Sequence, residues 1–271
     1  MRISRLERLV LLEHVLGRPR EWLIAHAGDP LEPALAERFE GLLARRRRGE
    51  PIAYLVGHRE FFGLSLLVDS RVLIPRPETE LLVEAAISWA PEAGAVLDLG
   101  TGSGAIAIAV AHARPDLAVS GSDISAGALA LAEANAHRLL AHRPRSVHWL
   151  QASWWEGLPQ TRWGVVVANP PYLASTDPHL KRGDLRFEPQ VALSDGDDGL
   201  SAIRAVLRGF AQRADQGLIG APGLLFVEHG ATQAAEVRRM GKALGLELRD
   251  TLRDLSGLPR VGCLAVPLLR G

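Results

Sequence analysis

Apolar side chains recur at helical spacing throughout the N-terminal part of the chain. Ser4 and Glu7 have the pattern of a capping box, and leucine and valine follow on one face of the predicted helix. Gly17 and Pro19 end this helix, and "REWLIAHAG" and "PALAERFEGLLARRRRG" predict two more. We therefore predict a small helical domain over residues 1–56.

The next segment, residues 57–74, has the pattern of a β-hairpin. Two short apolar runs in "REFFGLSLLVD" flank Gly63, a residue typical of turns. We interpret this segment as a hairpin linker. The second domain then covers residues 75–271 and opens with "LIPRPETELLVEAAISWA", a proline-bracketed entry into a helix.

From Ala95 the pattern changes to strand, turn and helix in repetition. The predicted strands are "AVLDLG", "AVSGSD", "VHWLQA", "GVVVAN" and "GLLFVEHG", and Ser125 is the predicted N-cap of the helix "SAGALALAEANAHRLL". Alternating βαβ units predict an α/β fold with a mostly parallel sheet covered on both faces. "LELRDTLRD" and "VGCLAVPLL" follow with no helix between them, so we expect an antiparallel pair at one edge of the sheet.

Composition narrows the functional classes. The 31 Lys and Arg residues balance 31 Asp and Glu residues, which argues against holding nucleic acid through an overall positive field. Cys263 is the only cysteine, so an intrachain disulfide and a thiolate metal cluster are excluded, and we expect no metal site. No apolar run approaches the length of a membrane span. We expect a soluble, cytoplasmic monomer with no direct nucleic-acid partner.

The loop "DLGTGSG", Asp98 to Gly104, joins the first strand of the repeat to its helix. Its glycines let the backbone turn tightly and approach a ligand. Asp123 ends the next strand, where a carboxylate can accept hydrogen bonds from ribose hydroxyls. The same pattern fits a dinucleotide fingerprint, so the loop leaves a dehydrogenase and a methyltransferase both open.

A second motif, Asn169-Pro170-Pro171-Tyr172, ends the predicted strand "GVVVAN". The prolines prevent the strand from continuing and make the turn stiff. The Asn169 side-chain oxygen and the Pro170 carbonyl are two acceptors that can hold a planar NH₂ group by both hydrogens, and Tyr172 adds a flat ring. The turn is therefore a candidate clamp for an amide or an aromatic amine.

These motifs together resemble the class I S-adenosylmethionine-dependent methyltransferases, and specifically the glutamine N5-methyltransferases of peptide-chain release factors (the HemK family). The resemblance covers essentially the whole chain. It is carried by "PRPETE" (75–80), "DLGTGSG" (98–104), "NPPY" (169–172), "RFEP" (186–189) and "EHG" (228–230). It implies a Rossmann-like methyltransferase sheet with an antiparallel edge strand, S-adenosyl-L-methionine as cofactor, and release factors with a Gly-Gly-Gln loop as partners.

The resemblance also implies roles for individual residues. The glycine loop would wrap the methionine part of the cofactor, Asp123 its ribose and Trp154 its adenine, while the helical domain would dock the partner. Ser153 stands where the family commonly has Asp, which weakens the expected adenine contacts. The implied cofactor residues are Gly100, Thr101, Gly102, Ser103, Gly104, Asp123, Trp154 and Asn169; the implied substrate residues are Asn169, Pro170, Pro171, Tyr172, Phe187, Glu188 and Pro189; and Asn169, Pro170 and Tyr172 are the implied catalytic residues.

Other polar or aromatic features have structural interpretations. We expect the basic run Arg45 to Arg48 and the acidic run Asp195, Asp197 and Asp198 to be solvated, and Trp155 and His229 to be structural. The segment from Ala174 to about Gly199 has no clear helix or strand pattern. Loops of this length are usually functional, so we interpret this one as a wall over the substrate site.

The residues also admit other functions. An amino-methyltransferase of DNA bases needs the same NH₂ clamp, but such enzymes must flip a base and contact phosphates, which the zero net charge disfavours. A dinucleotide-dependent oxidoreductase would leave the Asn-Pro-Pro-Tyr turn unexplained. A non-catalytic binding module would not need an intact clamp, and another protein glutamine is a further possible substrate.

Overall fold

The computed structural model of the chain describes residues 3–141 and 147–267. The first two residues of the predicted helical domain and the last two of the predicted strand "VGCLAVPLL" lie outside the described residues. Within the described ranges, no helix is long and apolar enough to cross a bilayer.

The N-terminal segment is helical, as the spacing predicts. The capping box is present, since the Glu7 N–H donates to Ser4 Oγ and Glu7 Oε2 accepts from the Ser4 N–H. Buried leucine, valine and phenylalanine side chains form a core of their own for this segment. Its helices are α1 (Arg5–Leu16), α2 (Arg20–Ala25), α3 (Pro33–Arg47) and α4 (Ile52–Val56).

The hairpin prediction is also confirmed. Strands β1 (His58–Phe61) and β2 (Leu64–Leu67) pair antiparallel around Gly63, which has a φ of +72°. The hairpin packs its buried Phe61 and Leu66 into the core of the larger domain. The linker is therefore part of the packed structure and not a flexible tether.

The remaining chain forms a seven-stranded sheet with helices on both faces, which confirms the α/β prediction. The sheet order is β5-β4-β3-β6-β7-β9-β8. Its elements, in chain order, are α5 (Glu80–Trp89), β3 (Ala95–Leu99), α6 (Ala105–Ala113), β4 (Ala118–Asp123), α7 (Ala126–Leu139), β5 (His148–Gln151), β6 (Trp163–Ala168), α8 (Gln190–Leu193), α9 (Ser201–Asp215), β7 (Ile219–Glu228), α10 (Ala234–Ala243), β8 (Glu247–Arg253) and β9 (Pro259–Ala265).

The two C-terminal strands pair antiparallel at one edge, as expected, with one difference in detail. Strand β9 pairs antiparallel with both β7 and β8. The last strand of the chain, β9, therefore runs opposite to its neighbours and lies second from the edge of the sheet, and β8 forms the edge. The tight turn between β8 and β9 forces their antiparallel pairing. The pattern of two adjacent strands could not tell which of them would join β7.

The register of the central strands brings four strand ends together. Leu99 of β3 pairs with Ser122 of β4 and with Ala168 of β6, and Ala168 pairs with Val227 of β7. The residues that follow these positions therefore emerge side by side at the carboxyl edge. In open α/β sheets this edge is the usual place for a ligand.

The expectation of a solvated basic run is wrong for Arg46. Its side chain is buried and forms ion pairs with Glu7 of α1 (2.7 Å) and Asp184 of the long loop (2.7 Å). The guanidinium also donates to the Glu50 carbonyl, so it has partners on three segments. A local charge run cannot reveal partners that lie far away in sequence.

Candidate active site

A cavity of about 860 Å³ opens at the carboxyl edge of the sheet, above β3, β4 and β6. It brings together most of the residues that the sequence predicts for the site. Those that line it are Gly100, Thr101, Gly102, Ser103, Asp123, Trp154, Asn169, Pro171 and Pro189, and Ser153, which stands where the family commonly has Asp, lines it too. Five other predicted residues do not line it, namely Gly104, Pro170, Tyr172, Phe187 and Glu188.

The glycine loop forms one wall of the cavity. Gly100 and Gly102 both have positive φ, at +75° and +56°, where a side chain would be strained. A Cβ at Gly100 would also approach the Trp154 ring to 3.4 Å. Gly104 also has a positive φ, at +81°, and a Cβ there would in addition come within 2.8 Å of Ile108 in the core. Its position is structural.

Asp123 is fixed by two backbone donors. Its Oδ2 accepts from the Gly102 N–H and its Oδ1 from the Ser125 N–H, both at 2.9 Å. Burial raises the pKa of this carboxyl, and the backbone hydrogen bonds oppose that effect. Asp123 lines the cavity, so its carboxyl oxygens have lone pairs left to accept hydrogen bonds from hydroxyl groups of a ligand.

Asp98, the other carboxyl of this loop, is not among the residues predicted for the site. Asp98 is fully buried, and its Oδ2 accepts from Thr101 Oγ1 (2.6 Å) and from the Ala107 N–H (3.2 Å). Its Oδ1 has no hydrogen-bond partner within residues 3–141 and 147–267. Burial raises its pKa to about 7. The sequence signal that could have indicated Asp98 is its place as the first residue of the motif "DLGTGSG".

Two hydrogen bonds to other segments fix the Asn-Pro-Pro-Tyr turn. Asn169 Nδ2 donates to Thr79 Oγ1 at 3.1 Å, which fixes the orientation of the amide group. The Tyr172 hydroxyl donates to Oε1 of the buried Glu228 at 3.2 Å. Burial and the negative charge of Glu228 raise the pKa of Tyr172, so the phenol stays protonated. Pro170 is buried beneath the turn.

Thr79 and Glu228 were not predicted as site residues, although both lie in quoted motifs. Burial raises the pKa of Glu228 to about 7, and the hydroxyls of Thr79 and Tyr172 partly oppose this rise. Thr79 itself lines the cavity. Its role depends on a contact ninety residues away in sequence, which no local pattern reports.

The long loop contains short helical turns at Pro178–Lys181 and Leu185–Phe187 before α8. Glu188 is buried and accepts from the Ile74 N–H (2.9 Å) while it pairs with Arg76. Its carboxylate is therefore engaged by Ile74 at the end of the linker and by Arg76, and Glu188 does not line the cavity. Phe187 also lies outside the cavity, against the Arg186 guanidinium. Pro189 lines the cavity, together with the exposed Val191.

The expectation that the acidic run is merely solvated is wrong for Asp195. Its carboxylate accepts from the Gly199 and Ser201 N–H groups and from Ser201 Oγ, at 2.7–3.0 Å. These bonds hold the start of α9 against the cavity wall. The structural interpretation of Trp155 agrees with the structure, since its Nε1 donates to the Val206 carbonyl and its ring covers Gly209.

Comparison with known proteins assigns the chain to a family. Residues 3–57 match the model of the PrmC N-terminal domain, and residues 77–183 match the methyltransferase small domain. A release factor glutamine methyltransferase from Bordetella pertussis is 48% identical over 96% of this chain and 94% of its own length. One from Neisseria gonorrhoeae is 44% identical over 96% of this chain and 93% of its own length. The chain belongs to the release factor glutamine methyltransferase family.

A solved structure supports the fold class alone. The crystal structure of a methyltransferase from Pyrococcus furiosus is similar with a TM-score of 0.54 and 15% identity, over 83% of this chain and 98% of that one. The Rossmann-like class I methyltransferase fold is thus established by family and architecture together. Methyl transfer is the activity of this family.

We predict that Asp98 makes the stability of the protein depend on pH. A carboxyl with a raised folded-state pKa costs stability once it ionises. The cost is absent below the unfolded value near 4 and complete above about 7. Relative to Asp98→Asn, the wild type should lose up to about 1.4 kcal/mol of unfolding free energy per pH unit in this window.

Urea denaturation of both proteins between pH 5 and 8 measures this difference. Asp116→Asn is the matched control, because its hydrogen bond with Arg114 lowers the pKa of Asp116 below this range. Its stability difference from wild type should stay constant. Parallel curves for wild type and Asp98→Asn would contradict the assignment.

Proposed function

We propose that the protein transfers a methyl group from S-adenosyl-L-methionine to the side-chain amide nitrogen of the glutamine in the Gly-Gly-Gln loop of peptide-chain release factors. The observation that carries this proposal is the orientation of Asn169. Because its Nδ2 is committed to Thr79, its Oδ1 is the atom left to accept a hydrogen bond from a substrate NH₂ group. The family membership supports the same substrate.

The residues around the cavity fit the proposed cofactor. Gly100 and Gly102 provide a surface without side chains, and Asp123 is an acceptor already oriented by backbone donors. Trp154 and the exposed Ile124 offer flat and apolar surface for an adenine, beside Ser153. We therefore assign Gly100, Thr101, Gly102, Ser103, Asp123, Trp154 and Asn169 to cofactor binding, with Gly104 shaping the loop from behind.

When bound, the cofactor supplies an electrophilic methyl group on a sulfonium. An amide nitrogen is a weak nucleophile because its lone pair is delocalised, and it gains positive character as it attacks. Its N–H bonds then become stronger donors, so acceptors at Asn169 Oδ1 and the Pro170 carbonyl bind the transition state better than the ground state. The methylated nitrogen then loses one of its two protons to solvent, which gives the neutral secondary amide. The stiff Pro170-Pro171 turn keeps these acceptors from rearranging.

On the substrate side we retain Asn169, Pro170, Pro171 and Tyr172 as the clamp and Pro189 as part of its border. Phe187 and Glu188 do not contact the substrate in this proposal. They hold the loop in place, because Glu188 binds Ile74 and Arg76. The linker contributes residues 70–73 to the cavity, and Pro75 at the start of the next domain lines it as well. We assign residues 1–56 to docking of the release factor, 57–74 to the linker and 75–271 to methyl transfer, and we place the monomeric protein in the cytoplasm with its partner.

Asp123→Ala should weaken binding of S-adenosyl-L-methionine by roughly 1.5–3 kcal/mol, the range for hydrogen bonds to a charged group. Isothermal calorimetry on the folded variant measures the change. Ser153→Ala is a control at the same cavity, since a hydroxyl contributes less. Unchanged affinity in Asp123→Ala would remove this residue from the site, and tight NADH binding by the wild type would favour an oxidoreductase.

Asn169→Ala should lower kcat by about 10²–10³, the scale for removing one preorganised polar group at a transition state. The assay is single-turnover methylation of a release factor at saturating labelled S-adenosyl-L-methionine, with peptide mass mapping of the product. Tyr172→Phe should be milder, because the flat ring is retained. Near-normal turnover by a folded Asn169→Ala would refute the clamp, and comparable methylation of DNA would overturn the substrate.

The docking role predicts a difference between an intact release factor and a short Gly-Gly-Gln peptide. Leu6 and Ile24 expose apolar side chains on the helical domain, at 58% and 63%. Their change to Glu should raise KM for the intact factor about tenfold, equal to about 1.4 kcal/mol, and leave KM for the peptide unchanged. Leu255→Glu, in the turn after β8, is the control. Equal effects on both substrates would contradict docking.

A further inference from the structure

A buried carboxylate lies directly beneath the substrate turn. Glu228 ends β7 next to Asn169 in register, because Val227 pairs with Ala168. The Glu228 residue is 1% exposed, its Oε1 accepts from Tyr172, and its Oε2 meets no donor at full hydrogen-bond geometry among the described residues. An incompletely satisfied buried carboxylate is costly, so a role for it is expected.

Thr79 is hydrogen-bonded to the amide of Asn169 and also acts on this carboxylate, without a Thr79–Glu228 hydrogen bond of full geometry. Its Oγ1 accepts from Asn169 Nδ2 at 3.1 Å, and its hydroxyl favours the ionised form of Glu228. A hydroxyl has one proton to donate. If that proton is directed to Glu228, the oxygen of Thr79 is left to accept, and only the NH₂ end of Asn169 can supply the donor.

We propose that ionised Glu228 is a positioning residue that fixes the direction of the hydrogen bonds from Asn169 through Thr79, so that Asn169 presents its oxygen to the substrate amide. The inference rests on the proposed function of the turn. A protonated Glu228 would itself donate to Thr79. Thr79 could then donate to Asn169 Oδ1, and the reversed amide would present NH₂ to the substrate NH₂.

The charges around Glu228 place this switch near neutral pH. Burial raises its pKa to about 7, Glu78 raises it further, and Arg260 lowers it. The positive charge of Arg76 lowers the pKa of the neighbouring Tyr172, against the larger effect of burial. His229 follows in the chain, and burial lowers its pKa, so it is neutral when Glu228 ionises. Since only the ionised carboxylate orients Asn169 correctly, kcat should rise as pH increases through about 7.

The test is the pH profile of single-turnover methylation of a release factor with cofactor saturating. Asp98 also titrates up to about pH 7, so the profiles of Glu228→Gln and Glu78→Gln assign the midpoint to Glu228. Glu228→Gln keeps the shape and removes the charge. We expect its rate at pH 8 to fall about 10–100-fold, as for a misplaced catalytic group, with a flat profile and unchanged cofactor affinity. Thr79→Val should give the same loss, and the double variant should lose little more.

Glu78→Gln is the matched control, because it makes the same substitution at a carboxylate whose charge acts on Glu228, and it leaves Asn169, Thr79 and Tyr172 in place. Removal of this negative charge should shift the midpoint of the profile to lower pH and leave the rate at pH 8 unchanged. This variant keeps the inference testable if Glu228→Gln fails to fold. A wild-type profile that is flat, or one that Glu78→Gln does not shift, overturns the inference.

The outcomes also separate the two proposals. Failure of the wild type to methylate a release factor at any pH would refute the proposed function. Methylation with an unchanged rate and profile in folded Glu228→Gln would refute only the positioning role.

Discussion

The site depends on the common ending of β4, β3, β6 and β7 at one edge of the sheet. Their register is set by backbone ladders and by apolar side chains buried on both faces, including Val166 and Val167 of β6. A slip of one residue would exchange the faces of a strand and misalign its end. Core packing therefore fixes which polar residues meet: the glycine loop, Asp123, Asn169 and Glu228.

Much of this arrangement could be predicted because its signals are local. The capping box at Ser4, the hairpin at Gly63, the glycine loop and the Asn-Pro-Pro-Tyr turn are each encoded within a few residues. The resemblance to a family then supplied roles that local chemistry leaves open. The order of the last two strands escaped prediction, because a hairpin does not specify which strand joins the sheet.

The contacts that were missed or wrongly interpreted join residues that are distant in sequence. Thr79 supports Asn169 from ninety residues away, and Glu188 reaches back more than a hundred residues to Ile74. Arg46 pairs with Asp184 across a similar separation. Glu188 lies in a family motif and was predicted to contact the substrate. Its carboxylate is buried and instead binds the Ile74 N–H and the Arg76 guanidinium. A motif identifies which residues matter but not whether they face the ligand or support the wall.

These long-range pairs fix the long loop, which borders the cavity, to three other parts of the structure. The loop is bound to the linker through Glu188 and to the helical domain through Asp184 and Arg46, while Asp195 fixes it to the start of α9. Arg46 is itself buried, while the Asp184 carboxylate is partly exposed, so loss of Asp184 leaves a buried guanidinium with fewer acceptors. The helical domain is thus attached to the wall of the cavity by a contact that the fold has reason to preserve. This contact ends beside Leu185–Phe187, in the same loop that continues to Pro189 at the border of the cavity, so the helical domain and that border are joined by packed residues and not by a flexible tether.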